Sequence, residues 1–363
     1  MANTTVSSDI QVTRFHDKFF AEYVRQHRFA RYTGTDENKV ITIKQDMAGK
    51  GKINVPLITK LSGAGQTGSS TLRGNEEALS NYGMTLDPTY HRHGVAVDLE
   101  QEEKTTINML QASRVMLKNW AMELTRDQII EAMGAAYDGT TYANLGSASE
   151  AVKDAWVANN TDRILFGSAL SNNSSNDHSA SLANVDNTSD KLTTSVLDLL
   201  KELAEDASPK IRPIKVEEDE EFFVCFVGSR AFRDLLADSA MQQANREARN
   251  RGVNNPLFRG GDLMWNSTII RKIPEITDLF TKSGKTLETA GAAGISVEPV
   301  FFCGAQSVAW GLGKRPMLVP DNTYDYGFQP GVEVRLKHDI DKAFFNDVQH
   351  GMVTGYVAAV ASA

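Results

Sequence analysis

Between Thr105 and Tyr137 the chain reads TTINMLQASRVMLKNWAMELTRDQIIEAMGAAY, with no proline and no glycine before Gly134. Most of these residues are strong helix formers, and Gly139 just beyond is a C-terminal stop signal. At 1.5 Å rise per residue such a helix is roughly 50 Å long, well beyond the usual three or four turns. Its apolar residues do not form one stripe. Leu110, Leu117, Ala121 and Leu124 share one face, Met109, Met116 and Trp120 a second, and Val115, Met122 and Ile129 a third. A steady a/d heptad is missing, which argues against a coiled coil. The pattern predicts a spine with other elements packed all round it.

A chain of 363 residues has room for two or three domains or one large irregular one, and 41% hydrophobic content supports a buried core. The net charge of −8 argues against a protein held to nucleic acid by phosphate contacts along its whole length. Cys225 and Cys303 sit in the apolar runs FFVCFVG and PVFFCG, as core thiols of a reducing compartment do. The N-terminus, MANTTVSSDI, lacks a basic-then-apolar signal, and no run approaches the length of a membrane span. The expectation is a soluble protein made in a cytoplasm.

Residues 1–13 are polar. From Arg14 to Tyr32, Phe15, Phe19, Tyr23 and Ala30 fall at helical spacing among five basic residues. Such a basic amphipathic helix suits a membrane surface, nucleic acid or docking on protein. Lys39–Gln45 and Ile53–Leu61 alternate like strands, with Ile53, Val55, Leu57 and Leu61 on one face of the second. A returning arm runs from Tyr82 to Leu99. Between the arms lies LSGAGQTGSSTLRGNEEALS, poor in large apolar groups. This predicts a long hairpin whose tip has no core of its own. An isolated hairpin is barely stable in water, so a neighbouring copy of the chain is a natural support.

After the spine, Thr140–Lys191 is rich in Ala, Ser and Asn and reads as an exposed insertion or long loop. An amphipathic helix follows in KLTTSVLDLLKELAED, with Val196, Leu199, Leu200 and Leu203 facing in. A second globular unit starts near Glu217. Phe222–Val227 reads as a buried strand, Ser229 and Ser239 as helix N-caps, and GVEVRLKHDI as a strand with Val332, Val334 and Leu336 inward. HGMVTGYVAAVAS closes the chain as a last apolar strand. Strands and helices mix without a βαβ rhythm, so the class is α+β.

No catalytic constellation emerges. GAGQTGSS, Gly63–Ser70, has the glycines of a phosphate loop, but Ser69 stands where the phosphate-binding lysine belongs. His91 and His93 share a strand face without a third metal ligand near in sequence. The acidic run Glu217–Glu221 lacks the glycine-bearing loop of a calcium site and reads as a solvated turn. There is no G-x-S-x-G elbow and no H-E-x-x-H. The expectation is a non-enzyme with no cofactor and no metal.

Three ordered blocks carry a family resemblance: LRGNEEALSNYGMTLD followed by the spine's LKNWAMELTRDQ; DRILFGS; and IRPIKVEEDEEFFVCFVGSRAFRDLLAD with NNPLFRGGDLMWNSTIIRKIPEI. Together they resemble the major capsid proteins of tailed bacteriophages, in the branch similar to the coliphage N-four group, over residues 40 to about 360. The insertion at 170–190 has no counterpart. The resemblance implies the Hong Kong 97-type capsid fold. It implies an N-terminal arm at 1–40, an extended E-loop hairpin at 41–103, a peripheral (P) domain with spine helix and insertion at 104–216, an axial (A) domain at 217–330, and closing strands at 331–363. It further implies self-assembly into pentamers and hexamers of an icosahedral head around double-stranded DNA touched weakly and non-specifically. Portal and scaffolding proteins are further partners, no membrane is involved, and assembly takes place in the bacterial host cytoplasm before the protein resides in the virion. Gly63, Gly65, Gly74, Asn75, Glu76 and Glu77 of the hairpin tip become assembly contacts, as do Phe15, Phe19 and Tyr23 of the arm and Arg249, Arg251 and Asn255 of the axial loop. Lys50, Lys52 and Lys60 lie in the extended loop, but no catalytic carboxylate is assignable and no cross-link is predicted. An encapsulin-like enzyme compartment is the alternative within the same fold, and a nucleotide-dependent enzyme using GAGQTGSS the alternative outside it.

Overall fold

The computed structural model describes residues 28–45, 51–61, 63, 65–105, 108–215, 220–249 and 263–362. The chain divides into two compact units, one containing Tyr90–Leu124 and Lys314–Lys337, the other Arg28–Thr89, Thr125–Gly313 and His338–Ala363.

The smaller unit is a helix on a sheet. The strand Gly331–Lys342 alternates strictly between half-buried and buried positions. Its Val332, Val334 and Leu336 pack against Leu117 and Ala121 of the long helix, with Val95, Trp120 and Leu318 closing the edges. This is the inward set that the period-2 pattern predicts. The strand Thr89–Ala96 lies beside Gly331–Lys342, and Val308–Asp321 lies on its other side. Here the helix buries a single stripe, while Met109 and Val115 stay 42% and 50% exposed.

The long helix spans Met109–Gly134, shorter at both ends than its predicted Thr105–Tyr137. Asn108 starts it, its side-chain oxygen accepting from the Gln111 N–H at 2.8 Å. Before it stands a separate short helix, Leu99–Glu103, capped by Asp98. At the far end Ala136–Tyr137 leaves the helix to pair with Tyr142–Ala143, and Asp138 closes that turn by accepting from the Thr140 and Thr141 N–H groups. A methyl group on Gly134 would stand 2.6 Å from Phe280 Cζ. Only glycine lets that ring approach.

The larger unit is built on a mixed sheet ordered Leu263–Trp265, Thr268–Lys272, Glu221–Val227, Val297–Cys303, Met352–Ala358 and Ile164–Phe166. Glu221–Val227 runs parallel to Thr268–Lys272 and antiparallel to Val297–Cys303. Both faces are covered, which is why Phe222–Val227 reads as an unbroken apolar run. Val224, Phe226, Phe301 and Tyr356 face Ile129, Ile130 and Met133 of the long helix and Trp156. Phe223, Cys225, Phe302 and Val357 face Leu197, Leu200 and Ala204 with Ala231, Phe232 and Leu235. Residues 125–134 are thus enclosed on several sides, as the spine pattern predicts.

Four local expectations are corrected. Residues 140–191 are not an exposed loop: they hold the helix Glu150–Asn159, the sheet strand Ile164–Phe166 and the short helix His178–Leu182. Their polar residues act as internal ties. Asp190, 3% exposed, accepts from the Ser168 N–H and hydroxyl, from the Asn172 amide and from the Asp186 N–H. Ser229 and Ser239 are first helical residues and not caps. Thr277 takes the Ser229 N–H and the buried carboxylate of Glu298 the Ala231 N–H, while Asp238 caps the second helix through the Ala240 N–H. The buried face of Thr194–Asp206 is Val196, Leu197, Leu200 and Ala204, with Leu199 and Leu203 only partly covered. Finally, the returning arm splits. Asn81–Leu86 pairs antiparallel with Ile53–Ile58, whereas Thr89–Ala96 joins the sheet of the smaller unit.

One polar knot fastens the C-terminal region to the rest of this unit. The fully buried Arg163 guanidinium donates to the Gln349 and Pro209 carbonyls at 2.5 and 2.6 Å. The Gln349 side chain accepts from Trp156 Nε1 and Lys342 Nζ, each at 3.2 Å, and donates to the Arg163 and Met352 carbonyls. Lys342 Nζ also lies 4.6 Å above the Trp156 ring. Burial pulls this lysine down to about 7.

Candidate assembly surface

The hairpin Ile53–Ile58/Asn81–Leu86 rests on the larger unit through Ile53, Val55, Met84 and Leu86, which pack with Ala309, Ala343 and Phe345. Its root is tied by the Asp87 N–H donating to Asp339 Oδ2 at 2.6 Å and by Lys52 beside Asp87 at 3.4 Å. Beyond Ile58 the packing stops. Every described residue from Lys60 to Ser80 is exposed, and Ile58, Leu61, Leu72 and Leu79 are 58–64% exposed.

The tip nevertheless has a defined shape. The Gly63 N–H donates to Glu77 Oε2 and the Gly74 N–H to Glu76 Oε2, both at 2.7 Å. Asn75 donates from its amide to the Thr71 carbonyl and from its backbone to Leu72. Gly65 and Gly74 adopt φ of +69° and +87°, a region that favours glycine. Six of the sequence-predicted contacts, Gly63, Gly65, Gly74, Asn75, Glu76 and Glu77, are therefore brought together in one tip. Phe15, Phe19, Tyr23, Arg251 and Asn255 lie outside the described residues. Arg249 ends the helix Ser239–Arg249, and its side chain is outside the description.

Sequence reasoning missed a second exposed feature, in the smaller unit. Tyr90, Arg92, Lys314, Arg315, Met317 and Arg335 line a cleft of about 280 Å³. Lys314 and Lys337 hold their ammonium groups 5.7 and 5.6 Å from the Tyr90 ring centre. The hydrogen bond from Lys314, helped by the charges of Lys314, Lys337 and Arg335, holds the Tyr90 phenol below its ordinary range. Glu333 is shared between Arg92, at 2.6 Å, and Arg335. The signal that could have found this cleft is the outward register of GVEVRLK, which places Glu333, Arg335 and Lys337 on one face.

Other motifs find structural uses. No helix follows GAGQTGSS, so the backbone of a phosphate loop is not built there. His93 packs on Trp120 at 4.9 Å. Cys225 and Cys303 are buried thiols on neighbouring strands, and burial pushes Cys303 up to about 12. Among the described residues no helix is long and apolar enough to cross a membrane.

The α+β chain thus presents an exposed hairpin tip, a long helix and an exposed cationic cleft. The family model described as "Phage capsid protein" matches residues 3–361, and the chain belongs to that family. It is 25% identical to the major capsid protein of Pseudomonas phage KPP25 over 93% of both chains. Among solved structures it is similar to the capsid of cyanophage Pam1, with 37% identity over the whole of both chains and a TM-score of 0.89. The capsid of Ralstonia phage GP4 shares the fold at 21% identity and a TM-score of 0.75, again over both full chains. The fold is the Hong Kong 97-type capsid fold, and the protein is a structural subunit of a phage head shell.

Proposed function

We propose that copies of this capsid protein close as pentamers and hexamers into an icosahedral head around double-stranded DNA, with portal and scaffolding proteins as further partners, in the host cytoplasm. The observation that carries this reading is the hairpin tip, where no described residue between Lys60 and Ser80 is buried while its leucines stand bare. Isolated surface leucines are ordinary. A tip held in shape by its own glutamates with three exposed leucines along it is a contact surface awaiting a partner.

In this reading the tip lies on a neighbouring copy through Gly63, Gly65, Gly74, Asn75, Glu76 and Glu77. The arm at 1–40, with Phe15, Phe19 and Tyr23, and the axial loop, with Arg249, Arg251 and Asn255, make further contacts. The extended loop is 41–103, the peripheral domain 104–216, the axial domain 217–330 and the closing strands 331–363. The net charge of −8 keeps the packaged DNA from adhering to the shell. The role is structural, with no catalytic step. Expression of the full chain with its head-assembly genes, followed by negative-stain microscopy, tests this: closed shells are expected, and a chain that stays monomeric under all these conditions refutes it.

A further inference from the structure

The cationic cleft of the smaller unit stands out in a chain whose overall charge is negative. Its lining residues include four cations and no acid, Lys337 adds a fifth at the Tyr90 ring, and Glu333 is already shared by two arginines. Met317 and Tyr90 add 53% and 52% exposed surface beside these charges. The cleft therefore combines positive charge with an apolar and aromatic floor. At about 280 Å³ it falls just under the roughly 300–1,000 Å³ of small-molecule sites and suits side chains from another protein surface. A DNA duplex presents lines of phosphates, which are matched by an extended basic stripe. Here the cations line one compact cleft, and two of them, Lys314 and Lys337, converge on the Tyr90 ring.

The hairpin tip supplies the complementary chemistry. Glu76 and Glu77 are adjacent, exposed and held in fixed directions by the Gly74 and Gly63 N–H groups. A carboxylate accepts at several lone-pair sites and carries its charge whatever N–H groups it also accepts from. Leu79, 58% exposed, stands next to them. We propose that the cleft around Tyr90 receives the paired carboxylates Glu76 and Glu77 from the hairpin tip of a second copy of this chain, with Lys314, Lys337, Arg92 and Arg335 facing the acids and Met317 meeting Leu79. This rests on the shell reading above and names the receiving surface that the reading leaves open. Electrostatic pairing of this kind sets register between copies and suppresses wrong contacts more than it adds raw affinity. In a subunit that repels its own kind by net charge, such a local match decides which faces meet.

The test is a charge swap in the full-length chain, scored as the yield of closed shells in about 0.05 M salt, where screening is weak. Lys314→Glu with Lys337→Glu, and separately Glu76→Lys with Glu77→Lys, should each lower the yield about tenfold or more, and less in about 0.5 M salt. All four changes together should recover most of the wild-type yield. Lys314→Gln with Lys337→Gln provides a milder version in case the reversal disturbs folding, and thermal unfolding of the unassembled subunit checks that it does not. Carbodiimide treatment of shells assembled from isotopically mixed subunits should link the peptide carrying Glu76 and Glu77 to that carrying Lys314 or Lys337, between differently labelled copies. Wild-type yield from both cleft variants overturns the proposal. So does a fourfold variant no better than either pair, or cleft variants that assemble normally and lose only DNA retention. A wild-type chain that never assembles overturns the shell reading first, a result distinguishable from all of these.

Discussion

Replacing Lys60–Leu79 by Asn-Gly separates the two roles a hairpin tip can have. The Thr59 N–H already bonds the Ser80 carbonyl at 3.1 Å, so a two-residue turn can close the strands at that rung. Among the described residues the replacement removes no buried side chain, because each of them from Lys60 to Ser80 is exposed. Surface changes of this type alter stability by about 0.5 kcal/mol or less. Between subunits the effect is different. Leu61, Leu72 and Leu79 are 58–60% exposed, and full burial of a leucine is worth about 1.5–3 kcal/mol. Covering the exposed part of all three therefore contributes about 3–5 kcal/mol per subunit, which raises the concentration needed for assembly on the order of a hundredfold or more. Thermal unfolding of the unassembled protein and light scattering of assembling protein measure the two quantities separately. An unchanged melting temperature with abolished assembly is the expected pair. A melting temperature lowered by ten degrees would show that the tip stabilises its own subunit, and the reasoning would fail.

Three further outcomes test the fold. Gly134→Ala places a methyl group against Phe280 and should cost about 1–2 kcal/mol by overpacking; Phe280→Leu in the same chain should recover part of it in a double-mutant cycle. Gln349→Ala removes the acceptor of Trp156 and Lys342 and the donor to two carbonyls, and should cost about 3 kcal/mol in denaturant unfolding; a loss below about 1 kcal/mol would show that the knot is dispensable. Burial, then the charge of Asp339, pushes Asp341 up to about 7. The folded chain thus holds a proton that the unfolded chain releases near pH 4, and stability from this group falls as pH rises from about 4 to 7. Asp341→Asn should flatten that part of the stability profile and raise stability at pH 7 by up to about 4 kcal/mol; an unchanged slope refutes the assignment.

What could be read from sequence and what could not differ in the range of the interactions involved. The Gly331–Lys342 alternation and the Phe222–Val227 run are read correctly because the sheet period and two-sided burial are written locally. The coreless hairpin is legible for the same reason, since an absence of large apolar residues needs no partner to be noticed. The segment 140–191 fails because its Asn, Ser and Asp residues look like loop composition, yet the buried Asp190 reaches back to Ser168 and Asn172 and ties them down half-buried. The glycine that closes the long helix, Gly134, is explained only by the ring of Phe280, far along the chain. Thr277 and Glu298 displace the expected serine cap in the same way. The cleft joins Tyr90 and Arg92 to Lys314, Arg315 and Arg335 across more than half the sequence, and no local pattern announces it. Only the outward register of one of its strands could have hinted at it.

Cryo-electron microscopy of particles assembled from the full chain, refined far enough to trace residues 59–80, tests where the hairpin tip lies in the shell. Closed shells are expected in which that tip lies on a neighbouring copy, with Leu61, Leu72 and Leu79 covered. Particles with the tip standing free in solvent, or packed on its own subunit alone, would contradict that placement.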